Sequence, residues 1–79
     1  MQIRYSSHAV DRMTERKIST AEVESILTKP DGMIRQSMDK TIMYRKLVGR
    51  RDNTVAVVAV DRGNEFEVVT VMVNFEARG

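Results

Sequence analysis

The run Thr54-Val55-Ala56-Val57-Val58-Ala59-Val60 has no polar residue after its first position, so both of its alternating sides are apolar. A strand with one face in water alternates apolar with polar, whereas a strand apolar on both sides needs cover on both. The run therefore predicts a central strand, and the rest of the chain must supply its neighbours. Three further segments have strand character: Met33 to Ser37, Thr41 to Val48 and Glu65 to Asn74. The gaps between the four strands are Met38-Asp39-Lys40, Gly49 to Asn53 and Asp61-Arg62-Gly63-Asn64, each of hairpin length, which predicts an antiparallel meander. Glu65, Phe66, Glu67 and Val68 alternate as expected where one face meets solvent.

Upstream of Gly32 the pattern is helical. Ser6-Ser7 precede a helix from His8 to about Lys17, where either serine can accept a bond from the unpaired amides of the first turn. Ser19-Thr20-Ala21-Glu22 has the layout of a capping box, with Val23, Ile26 and Leu27 at helical spacing behind it. Lys29-Pro30-Asp31-Gly32 stops that second helix, because proline disfavours a helical residue before it and Asp-Gly suits a turn. The predicted fold is α+β, with two N-terminal helices packed on one face of a four- to five-stranded antiparallel sheet; Gln2 to Tyr5 is the candidate fifth, edge strand.

The 79 residues contain no internal repeat and no linker, so a single domain over residues 1–79 is expected. A chain of this size buries only roughly 60% of its unfolded surface. With no cysteine to staple the fold, its stability margin is thin. Hydrophobic residues at 42% and charged residues at 30% point to a soluble globular chain, and no apolar run approaches the length of a membrane span. The first residues lack the layout of a signal peptide, from which a cytoplasmic location is expected. No cysteine and one histidine leave no thiolate zinc site, thiol nucleophile or His-His pair, so neither metal nor cofactor is expected.

Thirteen basic residues against eleven acidic give a net charge of only +2, but the distribution is uneven. Arg35, Lys40, Arg45, Lys46, Arg50 and Arg51 oppose the single acid Asp39 between positions 35 and 51. Most of the basic residues are arginine, whose fork matches phosphate oxygens in two-point contacts. On the first predicted helix, His8, Arg12 and Arg16 fall at about 0°, 40° and 80° of the helical wheel, with Ala9 and Met13 at about 100° and 140°. The basic groups thus border the apolar stripe instead of opposing it, where side chains can reach over a sheet surface. Ordinary ion pairing with Asp11 and Glu15 accounts equally well for this placement. In the strand Thr41 to Val48, Tyr44 and Lys46 share one face with Ile42 and Val48, while Arg45 lies on the other with Thr41, Met43 and Leu47. Tyr44 could relay a proton and Lys46 stabilise charge in phosphoryl transfer, although a tyrosine in a strand more often serves packing. Thr70 places a hydroxyl in the row of Phe66, Val68 and Met72.

Taken together, Ser7-His8-Ala9, Arg12-Met13, Glu15-Arg16, Ile18-Ser19, Val23, Leu27, Pro30, Tyr44 and Val68-Val69-Thr70-Val71 resemble a family of small stand-alone domains of unassigned function. That family reads His-Ala-x-x-Arg-Met-x-x-Arg-x-Ile, then helix, Pro turn and strands ending in a Thr motif, and the resemblance spans Ser7 to Val73. The family is grouped with the barnase, EndoU, colicin and RelE-type nuclease fold, which includes toxins of toxin and antitoxin pairs. The resemblance implies a shared cleft faced by His8, Arg12, Arg16, Tyr44 and Thr70, with Arg45 or Lys46 beside them. Many members carry an aromatic soon after the threonine; here the next one is Phe75.

Two functions follow as expectations. The first is a metal-independent endoribonuclease of toxin type, in which the RNA 2′-hydroxyl is the nucleophile, His8 supplies acid or base chemistry near neutrality, and Arg12, Arg16, Arg45, Lys46, Arg50 and Arg51 hold phosphate. The second is a non-catalytic module that keeps the scaffold and uses its basic hairpin to hold nucleic acid or an acidic protein. Expected partners are RNA, a cognate antitoxin or immunity protein, or a second copy of the chain. Convergence of His8, the arginines and Tyr44 on one concave surface is what separates the two.

Overall fold

The structure, a computed structural model, describes residues 2–49 and 54–76. Its elements run β1 (Gln2–Tyr5), α1 (Ser7–Arg16), α2 (Thr20–Thr28), β2 (Gly32–Arg35), β3 (Lys40–Lys46), β4 (Thr54–Asp61) and β5 (Glu65–Met72). They form an α+β domain whose sheet has the order β1-β5-β4-β3-β2. The meander β2 to β5 is antiparallel and β4 is internal, with Val55 through Val60 all buried. The fifth strand departs from the all-antiparallel expectation, because β1 runs parallel to β5, pairing Gln2 with Glu65 through Tyr5 with Val68. A parallel neighbour requires a long crossover. The two helices and the whole meander supply it, which a strand-by-strand reading of the sequence does not reveal.

Both helices lie on one side of the sheet, over a core built from Ala9, Met13, Ile18, Val23, Ile26, Leu27, Met43, Val55, Val57, Ala59, Val68 and Val71. Each begins on a serine. Ser19 forms the complete capping box, its side chain accepting from the Glu22 amide while the Glu22 carboxylate accepts from the Ser19 amide. Ser6 caps α1, its hydroxyl accepting from the Ala9 amide at 3.0 Å. Lys17 ends α1 in the left-handed conformation at φ 56°, donating its N–H to the Met13 and Thr14 carbonyls.

Among the described residues, no helix covers the other side of the sheet. Ile42, Ala56 and Val58 are buried there by neighbouring side chains, among them Ile34, Tyr44, Met72 and Phe75. The Tyr44 ring lies over Gly32, where a Cβ would collide with the end of the ring, and it packs on Phe75 with ring centroids 5.3 Å apart. Phe75 is held by its amide, which donates to the Thr54 carbonyl.

A bulge in β5 corrects the expected row of Phe66, Val68, Thr70 and Met72. Val58 pairs with Thr70 but Ala59 pairs with Val68, so Val69 is an extra residue. One extra residue exchanges the two faces of everything after it. Phe66 and Val68 consequently sit under the helices, while Thr70 and Met72 turn to the open side and Val71 takes the core position.

Candidate functional site

The site forms where β1 ends. β1 pairs only with Glu65 to Val68, after which the Ser6 amide donates to the Val68 carbonyl and the Ser6 hydroxyl donates to the Val69 carbonyl, each at 3.0 Å. The hydroxyl that caps α1 therefore also ties the start of α1 to the bulge. From Thr70 onward α1, not a strand, lies along the outer edge of β5. Ala9 and Met13 face the core, so the flank carrying His8, Arg12 and Arg16 is left over that edge. The result is an open groove of about 430 Å³ lined by His8, Arg12, Arg16 and the β5 residues Thr70, Val71, Met72 and Val73.

His8 is exposed in the first turn of α1, and Arg12 and Thr70 are half-buried. Arg12 donates to the Glu15 carboxylate at 3.1 Å. Both partners of that pair are largely accessible, so the contact is worth a few tenths of a kcal/mol and an anionic ligand can compete for the guanidinium. Asp11 and Glu15 stand on the outer side of α1 around a separate shallow depression that also touches His8 and Arg12. His8 and Arg12 thus border both depressions, while Asp11 and Glu15 line only the outer one.

The other residues singled out from the sequence lie elsewhere. Tyr44 is on the open side of β3 against Phe75, with β4 between it and β5. Arg45 is on the helix side, where a guanidinium N–H donates to the Ser25 carbonyl at 3.3 Å. α2 has no basic residue in its own last turn, and Arg45 supplies positive charge near that end, where the helix dipole favours it. Lys46 is exposed at the end of β3, its amide donating to Asp31 at 2.8 Å. Arg50 and Arg51 lie outside the described residues. The groove therefore unites four of the five residues of the implied cleft, His8, Arg12, Arg16 and Thr70, without Tyr44.

Ser6 and the outer edge of β5 are the parts of the site that sequence reasoning missed. Ser6 reads only as a cap, and nothing marks Val69 as a bulge. Among the described residues, no group of three His, Asp or Glu side chains is placed to hold a metal ion, and no helix is long and apolar enough to cross a membrane.

A known family model, described as a domain of unknown function, DUF4258, matches residues 5–73. The chain is a DUF4258 domain. The match runs from the last residue of β1 to the residue after β5, so both walls of the groove of this DUF4258 domain lie within it. Comparison with curated proteins and with solved structures returned no match.

Proposed function

We propose that this DUF4258 domain is a metal-independent endoribonuclease of the toxin type, acting in the groove between α1 and β5. The observation that carries the reading is that the chain's single histidine and two arginines line one groove with the β5 edge at Thr70. RNA brings its own nucleophile, so the protein needs a base, cations for the phosphorane and a way to release the 5′-oxygen. The His8 imidazole takes the proton of the 2′-hydroxyl. The 2′-oxygen then bonds to phosphorus as the P–O5′ bond breaks, leaving a 2′,3′-cyclic phosphate and a 5′-hydroxyl. Arg12 and Arg16 stabilise the charge on the non-bridging oxygens. Tyr44 and Lys46 do not line the groove, so water protonates the leaving oxygen and the enzyme is slow. An enzyme of this type would be held in check by a cognate antitoxin or immunity protein.

The separation of Tyr44, Arg45 and Lys46 from the groove favours a second reading, a module that binds RNA without cutting it. One experiment separates the two: purified protein is incubated with diverse RNAs in EDTA, alongside His8→Ala. The nuclease reading expects cleavage that falls by roughly 10²-fold or more in the variant with its circular dichroism unchanged, since His8 is exposed and contributes little to the core. Wild-type protein that binds RNA and leaves it intact establishes the second reading. A His8→Ala variant that cuts as fast as wild type overturns the catalytic assignment.

A further inference from the structure

The strand register sets one row of residues across the open side of the sheet. Gly32 pairs with Tyr44, Tyr44 with Ala56 and Ala56 with Met72, so the row runs from β2 to the groove. Met72 belongs to both places: it lines the groove, and it packs against the open-side core as Tyr44 and Phe75 do. The groove between α1 and β5 therefore borders an aromatic surface.

Two residues place Phe75 on that surface. Asn74 takes the left-handed conformation at φ 52°, which asparagine tolerates better than most residues, and turns the chain after β5. The Phe75 amide then donates to the Thr54 carbonyl at 3.0 Å. The ring meets Tyr44 and also borders an open depression of about 210 Å³ lined by Thr54, Asn74 and Glu76. A half-buried ring beside a hydroxyl, an amide and a carboxylate offers what a nucleobase needs, a π-face for its own face and donors and acceptors for its edge. The charge along this route suits a polyanion. His8 and Arg12 stand at its groove end, and Lys46, exposed and in register with Thr54, stands at the other. Glu65 and Glu67, the acids of β5 on this side, are paired with Arg4 and Arg62.

We propose that the depression at Phe75 is a base-binding subsite of the groove, taking one unpaired base of a single-stranded RNA whose backbone enters between α1 and β5. The proposal rests on the RNA binding that both readings of the groove share. The base stacks on Phe75, which Tyr44 backs, Asn74 and Glu76 meet its edge, and Lys46 meets a phosphate beyond it. A base in a duplex is already stacked and paired, so the occupant is single-stranded.

Fluorescence anisotropy with short 2′-O-methyl oligoribonucleotides, which have no free 2′-hydroxyl to react, tests the subsite. Phe75→Leu keeps apolar cover on the sheet and removes the stacking face, and should raise the dissociation constant about tenfold or more, while Phe75→Tyr binds as wild type does. Lys46→Gln should weaken all sequences alike and lower the salt slope by about one. The second arm needs no variant: an abasic nucleotide moved along the oligomer should cost wild type about tenfold at one position, and a folded Phe75→Leu should no longer feel that change. RNA that binds with no abasic-sensitive position overturns the subsite and leaves the reading of the groove standing, whatever Phe75→Leu does. Protein that binds no RNA at all overturns both.

Discussion

α1 and α2 begin with the same device and are used in opposite ways. Each starts on a serine that caps its first turn. α2 closes its capping box on itself, commits Val23, Ile26 and Leu27 to the core and receives Arg45 near its far end. α1 commits only Ala9 and Met13, and its cap also holds the β5 bulge, so a full flank of the helix is spared for His8, Arg12 and Arg16. The difference teaches that a chain this small can divide labour between two short helices: one supplies burial, and the other can then be spent on a polar groove.

The division predicts a steep contrast in what substitutions cost. Ile26 is fully buried, and Ile26→Ala should destabilise the domain by about 3–4 kcal/mol, a large part of the total stability of so small a core. Urea titration reads this directly. A loss below about 1 kcal/mol would break the comparison by showing that α2 is no anchor. Ser6→Ala should cost about 1–2 kcal/mol, because it removes a cap and leaves the Val69 carbonyl without the bond from the Ser6 hydroxyl. If cleavage activity is present, it should fall further than stability does, because the start of α1 is no longer held to β5. Equal effects on activity and stability would make Ser6 a cap and nothing more.

The seam between the helices provides a smaller effect of opposite sign. Among the described residues the buried Tyr5 hydroxyl has no hydrogen-bond partner, and burial, aided by Glu24 on α2, raises the phenol above its ordinary value of 10.0. Tyr5→Phe should therefore stabilise the domain, by about 1 kcal/mol, since an orphaned hydroxyl is removed and the ring stays. The pH dependence has a definite sign. A phenol that holds its proton more tightly when folded contributes stability that is complete below pH 10.0 and is lost as pH rises from there toward the folded value. Wild type should lose stability in alkali that Tyr5→Phe retains, and parallel curves for the two would show that the hydroxyl finds a partner in solution.

Local signals in the sequence were enough for the helices and the meander. Ser19 and Glu22 announce a helix start whatever surrounds them, and the unbroken Thr54 to Val60 run has only one comfortable place in a sheet. The stripe of His8, Arg12 and Arg16 was legible for the same reason, since helical spacing alone sets it beside Ala9 and Met13. What was hidden depends on distant pairing. The parallel match of β1 with β5, the Val69 bulge that turns Thr70 and Met72 to the open side, and the capture of Arg45 by a carbonyl of α2 each join residues far apart in the chain. Tyr44 was drawn into the site by resemblance, while its ring is engaged with Gly32 and Phe75 two strands away from β5.

The bond from Ser6 to Val69 spans 63 positions of the chain, and this has a consequence for synthesis. α1 leaves the ribosome well before β5, with its cap and its cationic flank already encoded but with no surface to dock on. One wall of the groove is thus made well before the other, and closing so long a loop is the slow, entropically costly step of assembling such a sheet. A nascent or truncated chain lacking β5 has the imidazole and the arginines on an isolated helix too short to persist in water. Whatever the groove does, it cannot be done until β5 has been translated, so the topology ties activity to the last of the elements that build the groove.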